Sequence, residues 1–457
     1  MLTKNQICDI EISGLTSEGL GVGRHEGVAV FVKGAAPGDS LTVKIIKAER
    51  GYAYGRIEKI GNESPYRAEP PCPVYGKCGG CNFQHICYEA QIAAKGTRVE
   101  DSLRRIGGFA SAQVSELISS ENPLRYRNKS IFPVKVNISG QAVCGLFAES
   151  SHRLVPVTDC YLAHQGVAAV LRSIETYMNS FGISAYDEAT HTGLIRHVMV
   201  RTAFTTGEVM VALVINGQAL PYADKLIESL RLKPGVCSIC VNVNRERTNV
   251  IIGPETTVLW GEPYIHEMLC GVTFAISAPS FFQVNTAMTE VLYDRVLDMA
   301  ELTPSTTLID AYCGIGTLSL IAARRAARVV GIESFETAVS NARLNAKLNN
   351  ILNAEFVVGR SEDILADILQ NDPKADVVIL DPPRKGCDRA VISALRDFGP
   401  KRVVYVSCDP ATLARDLKDL CGGDLYNIKN VVAVDTFAQT AHIETAVMLT
   451  RKTDYEL

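Results

Sequence analysis

The sequence of 457 residues contains no stretch near the roughly 18 uninterrupted apolar residues of a membrane span. Its start, Met1-Leu2-Thr3-Lys4-Asn5-Gln6, lacks an apolar signal core, so a cytoplasmic protein is expected. A strong charge of either sign is missing too: 46 Lys and Arg against 50 Asp and Glu leave a formal net charge of −4. That balance argues against holding nucleic acid by bulk charge and leaves room for local basic surfaces. Internal repeats and low-complexity tracts are absent, and 47% hydrophobic with 21% charged residues excludes a disordered or fibrous chain. At roughly 100–200 residues per domain, the length implies two to four domains. Cysteine, by contrast, is abundant: there are 14. In a reducing compartment, clustered cysteines more often bind metal or do chemistry than form disulfides.

Residues 1–62 read as a small all-β unit, with apolar runs such as Val28-Ala29-Val30-Phe31-Val32 separated by Gly- and Pro-bearing turns. Its Gly19-Leu20-Gly21-Val22-Gly23 segment is no dinucleotide fingerprint, because no helix pattern follows; it reads as a tight hairpin or as part of a barrel whose basic loops touch nucleic acid. A Pro-rich connector, Ser64 to Pro73, opens a cysteine cluster, and 88–107 looks helical. Residues 123–262 carry mixed strands and one helix near 164–181, giving a central α+β unit over 63–265. The last unit is taken as 266–457; from about 290 to the end strand and helix alternate, with strands at 307–310, 329–333, 354–358, 376–380 and 402–406, which predicts a doubly wound, mainly parallel sheet.

In such a sheet ligands bind beyond the carboxyl ends of the strands. The first ends in Asp310-Ala311-Tyr312-Cys313-Gly314-Ile315-Gly316-Thr317, where Ser319 replaces the third glycine of a dinucleotide loop. An acidic start and flexible glycines suit S-adenosylmethionine, which has a cationic amino-acid end and no phosphate. Glu333 ends the second strand, where a carboxylate can accept from ribose hydroxyls. Glu362 and Asp363 follow the third, where an adenine edge would be read. The fourth ends in Asp381-Pro382-Pro383-Arg384-Lys385-Gly386, a stiff loop without the aromatic residue typical of amine methylation. The fifth ends in Ser407-Cys408-Asp409-Pro410, placing a thiol at the mouth of the site. A thiolate adding to carbon 6 of uracil makes carbon 5 nucleophilic towards a methyl sulfonium, and a base must then remove the carbon 5 proton. A candidate base lies in Gln439-Thr440-Ala441-His442-Ile443-Glu444.

These stretches, together with Cys78-Gly79-Gly80-Cys81, Tyr126-Arg127-Asn128-Lys129 and Phe281-Phe282-Gln283-Val284-Asn285, make the chain resemble the RNA uracil-C5 methyltransferases, in particular bacterial 23S rRNA enzymes with an N-terminal TRAM barrel. The matches run in family order over nearly the whole chain. The resemblance implies a TRAM-like, OB-like β-barrel, a central α+β domain with a cysteine cluster, and a Rossmann-like methyltransferase domain. It implies Cys408 as nucleophile and Glu444 as base. Gln283, Tyr312, Gly314, Gly316, Thr317, Glu333 and Asp381 would then meet S-adenosylmethionine. The substrate would be RNA, 23S rRNA first and tRNA as the alternative, met through Arg98, Arg104, Arg105, Arg125, Arg127, Lys129 and Lys385. A monomer needing no membrane or protein partner is expected. One departure is Ala438, where the family often has Pro.

Cys72, Cys78, Cys81 and Cys87 have the spacing C-x5-C-x2-C-x5-C, which suits zinc or an iron–sulfur centre without choosing between them. The resemblance implies a [4Fe–4S] cluster on Cys72, Cys78, Cys81 and the distant Cys160, with Cys87 as a rival fourth ligand. Cys237-Ser238-Ile239-Cys240 falls in an alternating strand pattern and is expected to be structural, its cysteines on opposite faces or near an edge. Cys313 and Cys387 are expected to be packing residues.

Overall fold

The computed structural model describes residues 2–371 and 375–452. Five N-terminal strands, Ile7–Leu15, Gly21–His25, Val28–Val32, Ser40–Glu49 and Tyr52–Asn62, close into a barrel around Ile12, Val30, Val32, Val43 and Ile45. The Gly-rich segment lines this interior. A Cβ on Gly21 would lie 2.7 Å from the Ala35 Cβ, and one on Gly23 would lie 2.9 Å from Ile10, so the glycines serve barrel packing. Asp39, at the barrel's base, accepts from Arg67 and from the Ala36 and Ser64 amides, tying the barrel to the connector.

The central region is a seven-stranded sheet with the helices Val167–Phe181 and Ala223–Leu230 on one face. The second helix has only eight residues, too short to stand out in an apolar pattern. Strands Ile195–Thr202 and Val209–Ile215 are buried along their whole length, because the other face packs on the C-terminal domain through Met199, Met210, Ala212 and Cys240. Cys237 packs against that same core. The expectation of opposite faces therefore fails: Val209 pairs with Val236 and Met210 with Ser238, so Cys237 bulges out of register. Its strand is also internal rather than at an edge.

The C-terminal sheet has eight strands. Ala354–Val358, Arg328–Glu333, Thr307–Asp310, Ala375–Leu380 and Arg402–Ser407 are parallel neighbours in that order, as the alternating pattern predicts. Glu444–Arg451 then pairs antiparallel with Arg402–Ser407, and Tyr426–Val434 follows. The last strand, Glu116–Ile118, comes from the connector and pairs parallel to Tyr426–Val434. The catalytic sheet thus borrows a strand from within 63–265, and a boundary at 265 does not separate it from the middle of the chain.

Residues 88–107 form an α-helix, Tyr88–Ser102, that loosens into a π-turn at Leu103–Gly107. Its polar residues recur every three or four positions, so Tyr88, Gln91, Lys95 and Arg98 share one face. That face grips the loop before Glu444. The Tyr88 hydroxyl and Lys95 ammonium donate to the two Asp435 oxygens at 2.8 and 2.6 Å. Lys95 also donates to the Phe437 carbonyl, Gln91 to the Gln439 side chain, and Arg98 to the Ala441 carbonyl. Tyr126 donates to the Ala438 carbonyl at 3.0 Å, and the Asn82 and Phe83 amides donate to that of Gln439. The loop is fastened without the proline found in the family.

Lys95 and Asp435 are 1% and 0% exposed. Burial pulls the Lys95 ammonium down, and Asp435 counters this. Breaking such a pair strands a charge in the interior. Lys95→Ala should cost about 3–5 kcal/mol of unfolding free energy, read as a fall in Tm, while Lys95→Met with Asp435→Leu should recover much of it.

Candidate active site

The loop after Thr307–Asp310 is braced from below. Asp310 is 1% exposed; its carboxylate accepts from the Ser319 hydroxyl at 2.6 Å and the Tyr312 amide at 3.4 Å, and burial pushes it up to about 6. The acidic start of the loop is thus engaged by the loop itself. Ser319, standing where a dinucleotide loop has glycine, is its partner. Gly316 sits at φ +83°, and a Cβ there would lie 3.0 Å from the Phe356 ring. Nothing lies within 4 Å of a Cβ built on Gly314, which therefore borders open space. Thr317 begins the next helix, its hydroxyl 3.2 Å from that of Tyr293, and Tyr312 packs beside Cys387.

Glu333 ends its strand half-buried. One oxygen accepts from the Ser334 hydroxyl and the Phe335 amide; the other has no partner among the described residues. Glu362 is engaged by Arg360 and Asp363 lies near the same guanidinium, so both acids have local duties. The Gln283 carbonyl accepts from Asn128 at 2.7 Å, which fixes the loop carrying its side chain. Asp381 makes no hydrogen bond among the described residues, and burial and Asp310 hold its carboxyl well above the usual range. Cys313 and Cys387 are buried in the two cores flanking the sheet.

The register Ser407↔Thr445 sets Cys408 beside Glu444, at the adjoining ends of two antiparallel strands. Glu444 is 3% exposed, and its Oε2 is buried with no hydrogen-bond partner among the described residues. Native interiors rarely leave such an oxygen orphaned, and those that do call for an explanation. Burial and Asp381 raise the Glu444 carboxyl, while Arg384 opposes them. Burial and Glu444 likewise push the half-buried Cys408 thiol up to about 11, again against Arg384. Burial and the neighbouring carboxyl groups thus disfavour the thiolate, and Arg384 favours it.

Two residues given no individual role from the sequence shape this charge balance. Arg384 follows the two prolines, and its guanidinium lies 3.4 Å from His442 Nε2. Burial and the cations Arg384, Arg98, Lys95 and Arg127 push His442 down to about 4, so it is neutral at physiological pH. A guanidinium only donates, so His442 Nε2 must be the acceptor, which holds Arg384 towards the thiol and the carboxyl. The available signal was position: one residue is in the Asp-Pro-Pro loop, the other two residues before Glu444.

Cys72, Cys78, Cys81 and Cys160 line one largely apolar cavity of about 300 Å³, with Arg127 and Lys129 in its wall. Cys87 does not line it and sits at the start of the connector helix. The Gly80 amide donates to Cys78 Sγ and Gln84 to Cys81 Sγ, at 3.3 and 3.2 Å. Among the described residues, no three His, Cys, Asp or Glu side chains are grouped so as to hold a metal ion. Nor is any helix among them long and apolar enough to cross a membrane.

Residues 270–452 match the tRNA (uracil-5-)-methyltransferase family, and residues 2–57 match the TRAM domain. An uncharacterized RNA methyltransferase of Halalkalibacterium halodurans is 44% identical over 452 residues, covering 99% of this chain and 98% of that one. One from Listeria innocua is 43% identical over 452 residues, covering 99% of each. A solved structure, the Pyrococcus abyssi tRNA (uracil-54, C5)-methyltransferase in complex with S-adenosyl-L-homocysteine, aligns with TM-score 0.76 and 28% identity over 97% of this chain and 100% of that one. The barrel, the parallel sheet and these full-length likenesses make the chain a member of the S-adenosylmethionine-dependent RNA uracil-5 methyltransferase family.

Proposed function

We propose that the enzyme methylates carbon 5 of a uridine in 23S rRNA by covalent catalysis, as a cytoplasmic monomer. The observation carrying this reading is the juxtaposition of Cys408 with the orphaned carboxylate of Glu444. The Cys408 thiolate adds to carbon 6, and carbon 5 gains the electron density to take a methyl group. Glu444 then removes the carbon 5 proton, and the bond from Sγ to carbon 6 breaks to restore the ring and the thiolate. Bound S-adenosylmethionine supplies the electrophilic methyl group. Gln283, Tyr312, Gly314, Gly316, Thr317, Glu333 and Asp381 would hold it: Gly314 borders open space, and Asp381 and one Glu333 oxygen are unengaged among the described residues. The raised Glu444 carboxyl makes a stronger base than an ordinary carboxylate, which suits removal of the carbon 5 proton. Arg384 favours the charged forms of both Cys408 and Glu444.

The TRAM barrel favours rRNA. The likeness to the Pyrococcus tRNA enzyme supports tRNA as the second reading. Nucleoside mass spectrometry of a deletion strain separates them. The strain should lack 5-methyluridine in 23S rRNA, with wild type restoring it and Cys408→Ala not; loss from tRNA alone would favour the second reading. With 5-fluorouridine RNA the wild type should form a covalent adduct and Cys408→Ala none.

Both working groups act deprotonated, and both are raised above their ordinary values. The single-turnover rate should therefore climb with pH and still be rising at about 9. Arg384→Gln, which removes the opposing charge, should move that rise to higher pH.

The four cavity cysteines also fit a [4Fe–4S] cluster. A cluster spreads its thiolates around a volume rather than crowding them on one ion, and N–H groups already point at two of the sulfurs. Arg127 and Lys129 would offset the negative charge of four thiolates. The cluster's role would be structural, pinning the connector to the central domain. Anaerobically purified protein should contain iron, Cys160→Ser should lose it and Cys87→Ser should keep it. Stoichiometric zinc without iron would overturn the assignment.

A further inference from the structure

The thiol and the cation that favours its charged form come from different strand ends. Cys408 follows the strand Arg402–Ser407, while Arg384 sits in the Asp-Pro-Pro loop after Ala375–Leu380. That loop has little hydrogen bonding of its own. Pro382 and Pro383 have no N–H to give, and the Gly386 amide reaches back to the Pro383 carbonyl at 2.8 Å. It is held from outside by the helix Pro410–Leu420. This helix begins just after Cys408, where Asp409 caps it by accepting from the Ala411 and Thr412 amides.

Thr412, Arg415 and Asp416 share one face of the helix, by their three- and four-residue spacing. They take hold of the loop almost residue by residue. The Thr412 hydroxyl donates to the Arg384 carbonyl at 3.2 Å, Arg415 Nη2 donates to the Lys385 carbonyl at 2.8 Å, and Asp416 Oδ2 accepts from the Cys387 amide at 2.8 Å. Between them Gly386 sits at φ +81°, and a Cβ there would collide with both Arg415 and Asp416. Asp416 is 3% exposed, and a carboxylate taken out of water needs hydrogen bonds to offset the cost. Besides Cys387 it accepts from the Tyr405 hydroxyl at 2.6 Å and from Arg415 Nε at 2.8 Å, so loop, strand and helix meet on one group. What this fixes matters at the thiol. Glu444, Asp381 and Asp409 face Cys408 and disfavour its thiolate, and Arg384 favours it. Beyond the 3.4 Å contact with His442, no hydrogen bond among the described residues holds the Arg384 side chain, so its reach is set by how its backbone is held.

We propose that Arg415 and Asp416 are positioning residues: they fasten the Asp-Pro-Pro loop to the helix behind Cys408, and so keep the Arg384 guanidinium towards the thiol and the Glu444 carboxyl. This rests on the reading of Cys408 as the nucleophile and adds the residues that hold its counter-charge in place.

The test reads Cys408 ionisation in the full-length protein, as the initial rate of alkylation by iodoacetamide at about pH 8, followed on the Cys408 peptide by mass spectrometry. The thiolate is the species that reacts, and this pH lies below the raised thiol value of about 11, so the rate follows the thiolate fraction. Arg384→Gln should slow alkylation about three- to tenfold, as expected for losing a nearby opposite charge. Arg415→Ala and Asp416→Asn should each slow it by a similar factor. For Asp416→Asn the direction is diagnostic: removing a negative charge would by itself speed the reaction, so slowing requires that Arg384 has lost its place. Once Arg384 is already Gln, neither second change should slow alkylation further. Slowing that persists undiminished in that background would overturn the proposal, because the residues would then act by their own charge or by loosening the site. Single variants that alkylate at the wild-type rate or faster would overturn it too. Should Asp416→Asn melt early, Arg415→Ala carries the same comparison, since that side chain is 49% exposed. The 5-fluorouridine adduct reports separately. A wild type that forms none undoes the covalent reading, while the alkylation rates still show whether Arg415 and Asp416 act through Arg384.

Discussion

The catalytic geometry depends on one polar helix face pressed against one loop. Glu444 begins a strand, and the turn feeding it, from Asp435 to Ile443, has no regular structure of its own to hold it. It is fixed from outside its own domain by Tyr88, Gln91, Lys95 and Arg98, four residues on a single stripe of the connector helix. Two of the contacts are to a fully buried carboxylate, so the attachment is all or none. Either the helix is docked and Asp435 is satisfied, or a charge is stranded in the interior. The cysteine-lined connector leads into the helix that holds the loop before Glu444 in place.

Within the pocket the governing condition is excess negative charge in a low-dielectric space. Asp310 raises Asp381, Asp381 raises Glu444, and Glu444 raises the Cys408 thiol. Arg384 is the counterweight, oriented by a neutral His442. A cationic sulfonium bound there would relieve the same repulsion. Carboxyl groups that are uncomfortable when alone are thereby matched to a positively charged partner.

Much of this was legible in the residues, for physical reasons. Parallel strands buried on both sides are short apolar runs, and their ends are marked by acids, glycines and prolines that cannot continue them; the strand ends at Asp310, Glu333, Asp381 and Cys408 followed from that. Pairing between distant segments was not legible. No local pattern in Glu116–Ile118 says that it completes a sheet begun some two hundred residues later. The inward turn of Asp310 depends on a serine nine positions on, and the neutral state of His442 on cations from the connector and the central domain. The bulge at Cys237 defeats a simple alternation count because one extra residue changes the facing of all that follow.

The borrowed strand has a consequence for how the molecule is made. During synthesis Glu116–Ile118 and the gripping helix leave the ribosome long before the sheet they complete, and wait as pieces with no partner. The stretch 270–452, although it holds the whole nucleotide-type fold, would expose the edge of Tyr426–Val434 if produced alone, a template for pairing with another chain. Gene order and fold order are therefore interleaved, and the methyltransferase domain is not a portable unit.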